Sequence, residues 1–125
     1  MTFQESISTC LTKYAEFTGR APRSEYWWFV LGQFLIGFVA GFVAGMIGHI
    51  LGMGGTLANI ANIIVTLGLL LPGIAVAIRL LHDTGRSGWW YLLVFIPIIG
   101  WLALLFWFVQ PSDEGSNEYG EAPMY

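Results

Sequence analysis

The sequence predicts an all-α integral membrane protein, with three transmembrane helices in a small bundle and an amphipathic interfacial helix before them. Only 10% of the 125 residues are charged, whereas about a quarter are charged in an ordinary soluble domain. No Asp, Glu, Lys or Arg occurs from residue 26 to residue 78, or from residue 87 to residue 110. Because a charge in hydrocarbon costs a few kcal/mol or more, these stretches are typical of membrane segments. The mean hydropathy of +0.67 agrees.

The chain is predicted to form a single membrane domain over residues 1–125. A helical span needs about 20 mainly apolar residues, and three stretches supply them. The spans are expected over residues 27–51, 57–78 and 89–109. Residues 1–26 form the amphipathic segment, and residues 110–125 form an acidic polar tail.

Before the first span, apolar residues recur at spacings of three and four, which predicts an amphipathic helix. They are Phe3, Ile7, Cys10, Leu11, Tyr14 and Phe17. Two placements fit this helix. It lies in the plane of the membrane interface, or it packs on the cytoplasmic ends of the chain's own spans.

Span one carries Gly37, Gly41 and Gly45 at four-residue intervals. Such spacing predicts a helix-packing face, because small residues let two helix backbones approach closely. The helix that packs there belongs either to this chain or to a second copy or another membrane protein. A short glycine-rich link at residues 52–56 predicts a tight hairpin into span two.

The third apolar stretch contains Pro97 and Gly100 near its middle. A re-entrant hairpin is one interpretation, but each half would have only about ten residues, which is too few to cross. One kinked span is therefore favoured, since a membrane helix tolerates proline where neighbours satisfy the freed carbonyl.

The basic residues predict the orientation. Lys13, Arg20 and Arg23 precede span one, and Arg79 and Arg86 flank the link between spans two and three. With three spans these regions share one side, which the positive-inside rule makes cytoplasmic. The N-terminus is then cytoplasmic and the C-terminus is expected in the periplasm.

A candidate site for an anionic lipid headgroup or another anionic ligand lies on this basic face. An arginine fork matches phosphate or carboxylate in a bidentate way, and basic clusters at headgroup depth bind anionic lipids. The alternative is purely structural anchoring, since charged residues at span ends fix helix register and extend to the interface. The candidate residues are Arg20, Arg23, Arg79, His82 and Arg86, with Glu25 and Asp83 as ion-pair partners.

The sequence predicts neither an enzyme nor a metal or cofactor site. His82 and Asp83 form the only adjacent His–acid pair, a combination suited to acid–base work, but no nucleophile motif accompanies it. No Cys/His cluster has zinc spacing. Few polar residues interrupt the span interiors, so a transporter accessory role is weakly supported.

Four motifs resemble domain-of-unknown-function family 805, a YhaH-like group of small bacterial inner-membrane proteins. They are GRAPRSEYWWF at residues 19–29, RLLHDTGRSGWW at 79–90, PIIG at 97–100 and NEYG at 117–120. Pro22 stands where such proteins often have a small or basic residue, and residues 120–123 lack the usual acid directly before proline. The resemblance implies a multi-pass protein of the bacterial inner membrane without an established activity.

The leading hypothesis is a non-enzymatic structural or partner-interaction component. The alternative is an anionic lipid or ligand binding module at the cytoplasmic face. The expected partners are the lipid bilayer, an anionic lipid, and a second copy or another membrane protein through span one. No nucleic acid is expected as a partner.

Overall fold

The computed structural model describes residues 2–113 and 115–120. Four α-helices and one 3-10 helix follow one another in this part of the chain. They are α1 (Phe3–Thr12), α2 (Arg23–Ile50), α3 (Thr56–Asp83), the 3-10 helix (Gly88–Phe95) and α4 (Ile99–Phe108). The all-helical membrane fold class is confirmed, and α2 and α3 form its long antiparallel pair.

Helix α1 begins with an N-cap at Thr2 and packs on the two long helices. The Thr2 hydroxyl accepts from the Glu5 amide at 3.2 Å and donates to the Glu5 carboxylate at 3.0 Å, which satisfies one of the free amides of the first turn. Ser6 and Cys10 are buried, and the Tyr14 hydroxyl donates to the Gly68 carbonyl of α3. Of the two placements considered for this helix, the structure shows packing on the chain's own spans.

Helices α2 and α3 have the length and surface of membrane-spanning helices. Each has 28 residues, which at 1.5 Å per residue gives about 42 Å and exceeds the hydrocarbon thickness of about 30 Å. Only 6% of the most apolar window of α2 is buried inside the protein. Phe34 and Phe38, for example, are each 73% exposed. A soluble core helix would hide these side chains, so they face lipid.

The glycine face of α2 packs on α3. A Cβ added at Gly41 would lie 3.2 Å from the Asn62 amide nitrogen, and one at Gly45 would lie 3.7 Å from the Ala58 Cβ. Such short distances are possible because the glycines have no side chain. Span two of the same chain therefore occupies this face in the structure. Association with a second copy or another protein through span one stays a prediction.

The third apolar stretch folds differently from the single kinked span predicted over residues 89–109. The 3-10 helix and α4 are folded back on each other, with the Trp101 indole donating to the Val94 carbonyl at 2.8 Å. Ile98 turns the chain with a left-handed φ of 68°. A Cβ at Gly100 would lie 1.9 Å from the Leu93 carbonyl oxygen, so only glycine permits this close return.

The lengths of these two helices explain why neither crosses. Eight residues of 3-10 helix span about 16 Å and ten residues of α-helix about 15 Å, each half of the hydrocarbon core. The described residues therefore contain two helices long enough to span a membrane and one re-entrant hairpin. The single third span predicted over residues 89–109 is therefore not confirmed: the structure divides this stretch into two shorter helices.

The re-entrant hairpin returns the tail to the end of the bundle from which the hairpin started. The Asp113 amide donates to the Asp83 carbonyl at 3.0 Å, and the Asn117 amide donates to the His82 carbonyl at 3.0 Å. We call this end, which carries residues 19–25 and 79–86, the arginine end. The structure thus places residues 113 and 117 at the end that carries the basic residues, whereas a third crossing would place them at the other end. The side of the membrane on which the tail lies stays a prediction.

Candidate functional site at the arginine end

Two ion pairs join the two arginine-containing segments crosswise. The Arg79 guanidinium lies 2.8 Å from the Glu25 carboxylate, and Arg20 Nε lies 3.0 Å from Asp83 Oδ1. All four side chains are at most 1% exposed. Each segment therefore supplies one arginine and one acid to the other, and this exchange fixes the start of α2 against the end of α3.

The inner pair, Arg79 and Glu25, is covered by α1. The Ser6 hydroxyl donates to the Glu25 carbonyl, and the Cys10 sulfur lies 3.7 Å from Glu25 Oε1. Glu25 Oε2 and the Nε and Nη2 atoms of Arg79 have no hydrogen-bond partner in the described part of the chain. The inner pair is therefore closed to ligands but incompletely hydrogen-bonded, which makes it sensitive to loss of either charge.

The guanidinium of the outer pair, Arg20, uses all five of its N–H donors. One goes to the Asp83 carboxylate, and the other four go to backbone carbonyls. These carbonyls belong to Asp83 at 3.1 Å, Asp113 at 2.9 Å, Gly115 at 2.8 Å and Gly120 at 3.2 Å. The Ser112 hydroxyl donates to the second oxygen of the Asp83 carboxylate. Arg20 thus connects the segment before α2 to the end of α3 and to the tail.

These contacts also satisfy the carbonyls that the last turn of α3 leaves free. The Ala21 amide donates to the Arg79 carbonyl at 3.0 Å. The His82 and Asp83 carbonyls accept from the tail, as described above. The C-terminus of α3 is therefore capped by the amides of residues 84–86 together with chain segments from before α2 and from the tail.

His82 and Asp83 point to different partners. The Nδ1 atom of His82 lies 2.9 Å from the Gly19 carbonyl, and its ring stacks on Tyr119 with centroids 4.0 Å apart. Asp83 is engaged by Arg20. The adjacent histidine and acid thus make separate contacts, and neither orients the other.

Arg23 and Arg86 lie at the C-terminus of α4. Arg23 donates to the Val109 carbonyl at 2.7 Å, and the Arg86 guanidinium carbon lies 4.6 Å from the centroid of the Trp107 ring. Helix α4 has no basic residue in its own last turn, so these two cations meet the negative end of its dipole. Arg23 is exposed and Arg86 is half-buried.

The structure therefore splits the five residues predicted to bind an anion. Arg20 and Arg79 are buried in ion pairs, and His82 is 8% exposed, whereas Arg23 and Arg86 stay near the surface. The sequence interpretation missed the residues that close the site, because it left the placement of α1 open and expected the tail on the opposite side. They are Ser6, Cys10, Ser112, Asp113, Asn117 and Tyr119. The NEYG motif was the one sequence signal for the tail.

The single cysteine is held in its neutral form. Burial raises the pKa of the Cys10 thiol to about 12, and the Glu25 carboxylate adds to this increase. A protonated thiol is a poor nucleophile and metal ligand. Among residues 2–113 and 115–120, no group of three His, Cys, Asp or Glu side chains could hold a metal ion.

Most of the chain is similar to known membrane proteins. The profile of a family described as proteins of unknown function, DUF805, matches residues 14–121. The inner membrane protein YhaI of Escherichia coli K12 is 44% identical over 115 residues, which cover 92% of each chain. The inner membrane protein YhaH of the same strain is 43% identical over 114 residues, which cover 90% of this chain and 91% of YhaH. No solved structure matches. With these matches, the chain belongs to the DUF805 family.

Proposed function

We propose that this protein is a non-enzymatic structural component of the bacterial inner membrane that contacts a partner protein through its arginine end. The observation that supports this most is the crosswise pairing of Arg20 with Asp83 and of Arg79 with Glu25, all buried. Arginine and acid side chains that are buried against each other are not available to bind a substrate. The two ion pairs and the hydrogen bonds around them join α1, α2, α3 and the tail. The surface that these elements form together is the one we propose for partner contact.

The location and orientation are part of the proposal. The relatives YhaI and YhaH are named inner membrane proteins. Four of the five Lys and Arg residues lie in the two segments of the arginine end, Lys13 precedes them in the sequence, and the link at residues 51–55 has none. By the positive-inside rule the arginine end faces the cytoplasm, and the tail, which contacts Arg20, faces it too.

Replacing the inner ion pair tests whether it is structural. Arg79→Met alone leaves the buried Glu25 carboxylate without a cationic partner, which costs about 3–5 kcal/mol. The double variant Arg79→Met, Glu25→Met replaces a buried pair by apolar side chains, a change that is often neutral or stabilising. We expect thermal unfolding in detergent to show a large loss for the single variant and recovery for the double variant. A destabilised double variant would contradict the structural role.

Crosslinking in native membranes tests the partner. A photo-crosslinking residue at Trp89, which is 78% exposed beside the arginine end, is compared with one at Ile50, which is equally exposed at the far end. We expect adducts to another protein from position 89 and none from position 50. Only uncrosslinked monomer at both positions would reject the partner proposal.

A second candidate function is binding of an anionic lipid headgroup by Arg23 and Arg86. It is favoured by their shared position at the end of α4, where both guanidinium groups remain near the surface. Native mass spectrometry should show bound phosphatidylglycerol or cardiolipin that is lost in Arg23→Gln, Arg86→Gln. Lys13→Gln, which removes one charge from α1's neighbourhood, is the control. Equal retention in the double variant would reject this site.

A further inference from the structure

A groove lies between α2 and α3 and is open to the surrounding lipid. It begins beside the re-entrant hairpin. It holds a cavity of about 370 Å³, within the range of small-molecule sites. Tyr26 of α2 and Tyr91 of the hairpin lie at the end of this cavity nearest the arginine end. An adjoining cavity of about 520 Å³ shares Gln33, Gly37 and Asn62 with the first and follows α2 further. The groove exists because the hairpin covers only part of the α2–α3 pair.

Several uncharged polar side chains meet in the first cavity. They are Tyr26, Gln33, Asn62, Thr66 and Tyr91. None of them has a side-chain hydrogen bond within residues 2–113 and 115–120. Polar groups that face hydrocarbon without a partner are costly, and in membrane helices they mark functional sites. This cluster is separate from the arginine end and has no role in the structural function proposed above.

The chemistry of the groove restricts its occupant. Residues 26–78 carry no Asp, Glu, Lys or Arg, so nothing there would neutralise an ionised headgroup. Amide N–H and phenol O–H groups donate to carbonyl oxygens. The remaining walls are apolar and aromatic, including Phe29 and Phe34. Gly37 adds no side chain of its own to the cavity wall, and a Cβ built there would have only the Asn62 amide oxygen nearby, at 4.0 Å. At Gly73 the Phe29 ring and the Gln33 amide lie 3.6 Å and 3.5 Å from the position of a Cβ, so an aromatic face and an amide donor stand side by side, as a flat carbonyl-bearing ring requires.

We propose that this groove binds the carbonyl-bearing ring of an uncharged, membrane-soluble lipid of the isoprenoid quinone class. Gln33 and Asn62 donate to the ring carbonyls, and the isoprenoid chain follows the second cavity along α2. An acyl-ester lipid offers the same carbonyl chemistry without the ring. A helix of a second copy would instead fill the groove along its length.

Photolabelling tests the site in the full-length protein reconstituted in phosphatidylethanolamine nanodiscs. The probe is an azido-benzoquinone with a decyl chain, titrated against a non-reactive decyl-benzoquinone competitor. Loss of one neutral hydrogen bond weakens binding about fivefold. We therefore expect Gln33→Leu and Asn62→Leu each to raise the competitor concentration for half-displacement about fivefold. Asn59→Leu, on the same exposed helix but outside both cavities, should leave it unchanged.

A steric variant provides a second test. Gly37→Leu places a side chain in the groove and should abolish labelling, whereas Gly68→Leu points into open space and should not. Dioctanoylglycerol distinguishes an acyl-ester lipid from a quinone as the occupant of the groove, because it carries ester carbonyls but no ring. Equal labelling in Asn62→Leu and Asn59→Leu would overturn the proposal, as would displacement by dioctanoylglycerol at the same concentration as the quinone. A crosslink from position 34 to a second copy, without quinone labelling, would assign the groove to a helix and overturn it as well.

Discussion

The two buried arginines differ in how fully their guanidinium groups are hydrogen-bonded. Arg20 has an acceptor for each of its five N–H groups, while Arg79 donates to Glu25 Oε1 and its Nε and Nη2 atoms have no partner in the described part of the chain. The forked shape of arginine is therefore essential at position 20. At position 79, the charge matters more than the shape.

We predict that Arg20→Lys destabilises the protein although the charge is kept. Lysine has three donors from a single nitrogen, so backbone carbonyls at residues 83–120 lose their partner, at about 1–3 kcal/mol for each buried group. Thermal unfolding in detergent measures the effect. Arg23→Lys is the control, since Arg23 is exposed and makes one hydrogen bond. Equal unfolding temperatures for the two variants would contradict the prediction.

Cys10 should resist alkylation in the folded protein. Its pKa is raised by burial and by Glu25 from 9.0 to about 12, so the thiol stays neutral at pH 8. The neutral thiol favours the folded state below pH 9, and this contribution is lost as the pH rises toward 12. Iodoacetamide at pH 8 should label Cys10 slowly in mild detergent and quickly in denaturing detergent. Equal labelling rates in the two detergents would show that α1 does not pack against α2 and α3 in a way that buries Cys10.

At the scale of single elements, the re-entrant hairpin depends on one close backbone approach. We predict that Gly100→Ala opens it, because the new Cβ would lie 1.9 Å from the Leu93 carbonyl oxygen, and the clash is with backbone rather than with a flexible side chain. Overpacking of this kind costs about 3 kcal/mol. Thermal unfolding reports the loss, and Gly68→Ala, with nothing within 4 Å, is the control. A Gly100→Ala protein as stable as this control would contradict the hairpin.

The hairpin also differs from α2 and α3 in how well it could be predicted from the sequence. Long charge-free stretches define α2 and α3, because membrane hydrocarbon excludes charge over a fixed thickness. The third stretch has the same composition whether it forms one kinked span or a hairpin. The difference rests on the left-handed backbone at Ile98 and on the contact at Gly100. Hydropathy encodes neither of these.

At the scale of the whole molecule, the sequence predicts that the two arginine-containing segments lie at the same end. It does not predict that the tail joins them there. The positive-inside rule counts Lys and Arg, and residues 110–125 contain neither. The tail is placed instead by its backbone carbonyls, which accept from Arg20. Any residue type can offer a carbonyl, so the amino-acid sequence of the tail gives little sign of this role.

We predict that both ends of the chain lie in the cytoplasm. A fluorescent reporter fused after residue 125 should be active, and alkaline phosphatase at the same place should be inactive. Alkaline phosphatase inserted at Gly54, in the link between α2 and α3, should be active. Active alkaline phosphatase at the C-terminus would indicate that residues 89–109 cross the membrane, and would contradict the hairpin.

The hydrogen bonds of Arg20 have a consequence for the order of assembly. Three of its acceptors lie between residues 113 and 120, and the ribosome makes them after both spanning helices are complete. Until then, the guanidinium can bond only to Asp83. The arginine end is therefore the last part of the protein to close during synthesis, and in a chain truncated before residue 113 Arg20 would lack three of its five acceptors.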